Sequence, residues 1–259
     1  MIKKIVIKLL GYSKINFIGM KKHKGNRFVI KVSNIQKKDA RTMEQSLRNI
    51  KEKMLNGLPN YYGFQRFGLQ QNNHIIGREI IKGNYNNAIK LFLYNSKSPK
   101  KNIINNKENI AYKRKILKIL NQKNSNMENA LKSLPVFNFF LSSYQSYLFN
   151  KAITQYFKEF GYKNISFPVL GTKKIKDKFI IKIYRSLLSK DKISLNQFQK
   201  GKSSIYLRNY SRRTIYKSKN FSYEINNRNE LYLKFELGIG HYAGLILDFI
   251  FDNEYVKLD

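Results

Sequence analysis

Residues 58–68, Leu58-Pro59-Asn60-Tyr61-Tyr62-Gly63-Phe64-Gln65-Arg66-Phe67-Gly68, restrict the fold of this chain more than any other stretch. Pro59 fixes its own φ and pushes Leu58 away from helix, while Gly63 and Gly68 permit turns closed to other residues. The segment therefore predicts a shaped loop at which the preceding element must stop. Its rings and Arg66 suit stacking on nucleobases and pairing with phosphate. They equally suit plugging the edge of a core, with Arg66 laid on a ring for packing.

Patterning on either side places the loop at a junction. Lys4 to Leu9, Lys14 to Met20 and Arg27 to Val32 read as antiparallel strands joined by Gly11 and by Lys24-Gly25-Asn26. Asp39 to Leu55 then carries Met43, Leu47, Ile50 and Met54 at helical spacing and stops at Asn56-Gly57. Past the loop, His74 to Leu93 predicts two short helices meeting at Gly83-Asn84, and Asn95 to Asn109 an exposed polar loop. From Phe137 to Phe160, the spacing of Phe137, Phe140, Leu141, Tyr144 and Leu148 marks one buried helical face, with Gln145 on or beside it. A lysine-rich stretch runs to about Ser203, strand-like alternation returns at Ser204 to Tyr216 and Glu230 to Leu237, and a short apolar helix is expected from His241 to Phe251. The expected fold class is α+β: a mixed or antiparallel sheet built from both ends of the chain, interrupted by a mostly helical insertion. The expected division is 1–56, 57–204 and 205–259.

A formal net charge of +34 in 30.7 kDa points to a polyanionic partner, bound through phosphate neutralisation and counterion release. Part of the excess reflects a richness in Lys, Asn and Ile that AT-rich coding imposes on any protein. Zero cysteines exclude disulfides and thiolate chemistry, and His23, His74 and His241 show no zinc spacing, so neither metal nor cofactor is expected. Alternating apolar and basic residues at 1–10 read as a strand rather than a targeting signal, and no apolar run approaches the ~18–20 residues of a bilayer span, so a soluble, cytoplasmic protein with no membrane partner is expected.

Residues 58–68 resemble the signature of the TruD family of tRNA pseudouridine synthases, in its archaeal-type form, and three further blocks agree in order. Lys24-Gly25-Asn26-Arg27-Phe28 resembles the family's G-N-x-F motif, and Ser142-Ser143-Tyr144-Gln145-Ser146-Tyr147-Leu148-Phe149-Asn150 its A-Y-Q-S-Y-L-F-N helix. Leu233 to Leu237 with Gly240-His241-Tyr242-Ala243 resembles the closing strand-to-helix segment. The resemblance implies isomerisation of a tRNA uridine, at position 13 by family habit, without metal or organic cofactor. The C1′–N1 bond breaks, the uracil turns within the site and a C1′–C5 bond forms, so the base must leave its stack and be held by edge and face. In this family an aspartate starts the reaction, a phenylalanine stacks on the flipped base and an asparagine helps hold the site. Asn26 and Phe28 match the last two, and strand alternation puts them on one face. Gln65, Arg66, Phe67, Arg212 and Arg213 are the further residues expected to contact RNA.

The family's aspartate belongs to a G-x-K-D-(K/R)-x-A-x-T motif that precedes G-N-x-F. Here no acidic residue precedes Asp39, and Lys38-Asp39-Ala40-Arg41-Thr42 follows G-N-x-F. Asp39 therefore reads as a residue at a helix N-terminus, favoured there by the dipole, rather than the catalyst. No catalytic residue is assigned. The expectation is one piece of a split or truncated enzyme, its aspartate arriving from a separately encoded N-terminal fragment or from upstream sequence; the alternative is an inactive RNA-binding remnant. Asp248 stands where the family has arginine, a charge reversal beside a polyanion.

Overall fold

The computed structural model describes residues 24–33, 37–68, 70–93, 107–122, 126–200, 207–226 and 230–250. The strands expected at Lys4–Leu9 and Lys14–Met20, and most of the polar loop after Asn95, lie outside these residues.

Strands from both halves of the chain pair as the patterning requires. β1 (Gly25–Val32) runs antiparallel to β7 (Leu231–Gly238), and β7 to β6 (Lys219–Ile225), in the order β1-β7-β6. Register sets Phe28 opposite Phe235 and Ile30 opposite Leu233, so Leu231, Leu233, Phe235 and Leu237 face inward with Phe28, Ile30 and Val32. Helix α1 (Lys37–Asn56) covers that face with Leu47, Ile50 and Met54, three of its four expected anchors buried, and α9 (Ala243–Ile250) adds Ile246 and Ile250. On the outer face Arg27 meets Glu236 at 2.8 Å and Lys31 meets Glu230 at 2.7 Å. These pairs are solvated and contribute little to stability. β6 has no counterpart in the sequence reading, although Phe221, Tyr223 and Ile225 alternate along it; its register against β7 shifts between Lys219 and Ser222, where Asn220 has φ +54°.

Between these strands lies a helical body. It comprises α2 (Asn73–Lys82), α3 (Tyr85–Leu93), α4 (Lys107–Leu120), α5 (Met127–Lys132), α6 (Phe137–Phe160), α7 (Lys178–Lys190) and α8 (Leu195–Lys200). Two ribbons accompany it: β3 (Ser166–Val169) with β4 (Tyr210–Arg213), and β2 (Leu58–Pro59) with β5 (Ile215–Tyr216). Helices α2 and α3 meet at Gly83, whose left-handed backbone (φ +79°) closes α2 as expected.

α6 is more enclosed than its apolar spacing indicates. Besides the expected face, Ser143, Gln145, Ser146, Phe149, Asn150 and Ala152 are buried, because α2, α7 and β3 pack around it. Gly77 lets α2 cross α6 closely, since a Cβ there would collide with the Phe140 carbonyl oxygen. α7 was hidden in the lysine-rich stretch. Asp177 caps it, accepting from Phe179 N and Ile180 N at 2.9 Å, and Ile180, Ile183, Tyr184, Leu187 and Leu188 form its buried stripe while Lys178, Lys182, Arg185 and Lys190 stay in water.

The two cores divide the chain at the aromatic loop. Leu58 and Tyr216 pack with the sheet; Tyr62, Phe67, Leu207 and Ile215 pack with the helices.

Candidate functional site

The loop at 58–68 is built from its ends inward. Gly57, with φ +100°, ends α1 by donating to Lys53 O at 2.7 Å, after which Leu58 and Pro59 pair with Tyr216 and Ile215. Phe64–Phe67 form a single 3-10 turn. Of the two glycines expected to need special backbone, only Gly68 takes positive φ, +81°, whereas Gly63 sits at −79° in a closely packed position. A Cβ on Gly63 would press on the Tyr242 side chain at 3.2 Å.

Asn60, Tyr62 and Arg212 lock this loop to the rest of the molecule. Asn60 is 2% exposed, donates through Nδ2 to Arg213 O at 2.8 Å and takes the Arg212 guanidinium on both its carbonyl and its Oδ1. Arg212 Nη1 also donates to Gly240 O at 3.0 Å, and the guanidinium lies 4.3 Å from the centre of the Tyr62 ring. Burial lowers the Arg212 pKa, opposed by the neighbouring tyrosines, but arginine keeps its charge. Tyr62 is held from the opposite side by Asn150 of α6, which accepts from Tyr62 N at 2.8 Å and donates to Tyr62 O at 3.0 Å. The Tyr62 hydroxyl shares a hydrogen bond of 2.8 Å with Tyr210, and burial, foremost, drives its pKa far above the usual phenol value.

Of the two roles the sequence left open for Arg66, the structure shows the packing one. Its Nε donates to Ser146 Oγ at 2.9 Å, and its guanidinium lies 5.5 Å from the Tyr62 ring and 5.4 Å from the Phe139 ring. It remains partly exposed. Gln65 and Arg213 are exposed. Phe67 is 3% exposed and packs edge-on against His74, so its ring is occupied by the core rather than offered to a base. Arg212 is likewise an internal strut, with its donors committed to the Asn60 side chain and to the backbone of Asn60 and Gly240.

Asn26 and Phe28 share the inner face of β1, as alternation requires. Phe28 stacks on Phe235 with centroids 5.3 Å apart and is half-buried; Asn26 is exposed at the end of the same face. Asn26 lies opposite Leu237, directly before the 238–242 turn whose Gly240 receives Arg212 and whose Tyr242 abuts Gly63. Thus the Asn26 end of the sheet and the aromatic loop converge on one turn. Asp39 falls in the first turn of α1, as expected. Among the described residues, no group of His, Cys, Asp or Glu could hold a metal ion.

Asn60, Tyr62, Ser146, Asn150 and Tyr242 are site-building residues that sequence reasoning did not single out. A signal for two of them existed: Ser143, Ser146 and Asn150 make a polar line at i, i+3 and i+7 on a helix otherwise buried in apolar contacts. Gln145 is a structural tie, donating to Leu170 O at 2.7 Å and Arg208 O at 2.9 Å.

Fold and site together define an α+β protein in which a helical body interrupts an antiparallel sheet and is pinned to it through one arginine-centred junction. The chain belongs to the TruD family: the family model described as tRNA pseudouridine synthase D matches residues 1–164. It is 28% identical to the probable tRNA pseudouridine synthase D 1 of Methanococcus maripaludis, over 88% of this chain and 72% of that one. The corresponding protein of Picrophilus torridus is 35% identical over 52% of this chain and 35% of its own length. The crystal structure of the putative tRNA pseudouridine synthase D (TruD) of Methanosarcina mazei superposes with a TM-score of 0.65, covering 91% of this chain and 69% of that one at 20% identity, and so supports the fold.

Proposed function

We propose that this chain isomerises a tRNA uridine to pseudouridine, at position 13 by family habit, as one piece of an enzyme whose aspartate comes from a separately encoded N-terminal fragment or from upstream sequence. The observation that carries the reading is the convergence of the Asn26 end of β1, two residues from Phe28 on the same face, with the aromatic loop on the 238–242 turn. A flipped uracil needs an aromatic face and a polar edge partner, and the half-buried Phe28 ring beside exposed Asn26 offers both. Arg66, Gln65 and Arg213, on the exposed side of the junction, approach the RNA backbone, while Arg212 and Phe67 act through the shape they give the loop. Division at 1–56, 57–204 and 205–259 belongs to the same proposal, although Leu207 and Ile215 pack in the helical core and the chain joins the core of the sheet at Tyr216. A cytoplasmic setting fits a tRNA substrate, and no helix among the described residues is long and apolar enough to cross a membrane.

The purified chain is expected to bind tRNA in a salt-sensitive manner and to form no pseudouridine until a fragment bearing G-x-K-D-x-x-A-x-T is added. Robust turnover by the chain alone, abolished by Asp39→Ala, would overturn the reading.

A further inference from the structure

The last turn of α6 and the residues after it carry aromatic rings that the junction does not use. Tyr162 is 71% exposed and lies nearly parallel to Phe157, with centroids 4.8 Å apart and planes at 29°. Phe160, 38% exposed, meets Phe179 edge-on at 4.6 Å and lies tilted at 39° against Tyr156 at 4.9 Å. One face of the Tyr162 ring is thus fixed on a buried neighbour while most of the residue stays in water. Single exposed rings are common on protein surfaces and need no explanation. Two exposed rings two residues apart in the chain, each braced by a further ring, are a more specific arrangement.

The charge around them has one sign. Lys163 Nζ stands 5.9 Å from the Phe160 ring, and Lys158 is exposed in the same turn. Residues 151–163 contain Lys151, Lys158 and Lys163 against the single carboxylate Glu159. Lys151 and Lys158 also line a cleft of about 340 Å³ between α6 and α7, where Lys190 joins them. The one carboxylate lining that cleft, Asp191, is already committed to Arg78 Nη1 at 3.0 Å and to the Tyr144 hydroxyl at 2.7 Å. The surface is also continuous with the aromatic loop. Tyr61 shares a hydrogen bond of 3.0 Å with Thr154, which lines the same cleft; burial raises its hydroxyl pKa, the Thr154 bond opposes that rise and neighbouring Tyr162 adds to it.

We propose that the braced Tyr162 ring, with Phe160 beside it and Lys158 and Lys163 flanking it, is a stacking platform for an unpaired base of the bound RNA other than the uridine that reacts. An aromatic face stacks on any base, and the lysines receive the phosphates on either side of it. This inference rests on the proposed action on RNA but not on catalysis, so its test uses binding alone.

Affinity for an unmodified tRNA transcript and for oligouridylate is measured across a salt series, with wild type, Tyr162→Ala, Tyr162→Phe and Lys163→Gln compared. Tyr162→Ala is expected to weaken binding at least fivefold with the salt slope unchanged, because a stacked base is lost and no phosphate contact is. Tyr162→Phe keeps the ring and the wild-type affinity. Lys163→Gln lowers the slope by roughly one phosphate contact. A thermal melt of each variant confirms folding, which the exposure of Tyr162 favours. Wild-type affinity in Tyr162→Ala overturns the platform and leaves the proposed reaction standing. Binding of RNA without pseudouridine formation in the presence of the aspartate-bearing fragment overturns the reaction and leaves the platform standing; no RNA binding by wild type overturns both.

Discussion

Replacing Asn150 by aspartate changes one atom of the clasp on Tyr62 and should be costly in a pH-dependent way. Asn150 is 1% exposed, with its oxygen on Tyr62 N–H and its Nδ2 on the Tyr62 carbonyl. In Asn150→Asp the second bond loses its donor, and an ionised carboxylate would face a carbonyl oxygen in a buried site. Burial of this degree raises a carboxyl pKa by several units, moderated here by the guanidiniums of Arg66 and Arg212 over the Tyr62 ring. A rise of roughly two units from ~3.9 corresponds to about 3 kcal/mol at neutral pH. The sign follows from linkage: with the folded pKa raised above the unfolded one, the penalty is absent below the unfolded pKa and grows as pH rises through the folded pKa. Urea unfolding of wild type and variant should therefore differ by about 3 kcal/mol at pH ~7.5 and by about 1 kcal/mol at pH ~4.5, where a protonated carboxyl can again donate to Tyr62 O. Wild-type stability at neutral pH, or a deficit that does not shrink on acidification, would refute the claim that this clasp is buried and directional.

Arg212→Lys should lose about 2–3 kcal/mol by the same method, since an ammonium cannot reach Asn60 O, Asn60 Oδ1 and Gly240 O together while lying flat on Tyr62. Gly77→Ala should lower stability by roughly 2–3 kcal/mol, because its Cβ meets the Phe140 backbone and α2 must move off α6. His74, stacked on Tyr147 at 4.7 Å with Nδ1 unpartnered, has its pKa lowered to about 4 by burial first and then by Arg78 and Lys151, against the pull of Asp191. Its neutral form is favoured in the fold, so its contribution is complete above pH ~6.5 and declines between ~6.5 and ~4, by at most about 3 kcal/mol; His74→Phe should remove that part of the acid sensitivity in a pH series of thermal melts.

The parts of the fold that were legible in the sequence are those where periodicity and turn chemistry agree. Strand β1, helix α1 with its stop at Gly57, the α2–α3 break at Gly83 and the return of β7 to the same sheet all carry such paired signals. α7 was not legible because its exposed Lys178, Lys182, Arg185 and Lys190 dominate the composition and mask an apolar stripe at i, i+3, i+4, i+7 and i+8. The loop at 58–68 was recognised as a junction, but its chemistry divides between packing and presentation in a way no single-sequence pattern encodes. Phe67 turns into the core, while Arg66 stays partly in solvent one residue away. Arg212 shows the same limit: adjacent Arg213 is exposed, and only the pairing of β3 with β4 and the position of Asn60 decide which of the two becomes a strut.

The most direct test of the account is pseudouridine formation in tRNA by this chain supplied with an aspartate-bearing fragment, with Phe28→Ala run in parallel. The account predicts modified tRNA from the wild-type pair, and from Phe28→Ala a product yield reduced by the loss of one stack, worth about 1–3 kcal/mol, with phosphate-driven binding largely retained. Absence of pseudouridine from the wild-type pair, or an undiminished yield from Phe28→Ala, would contradict it.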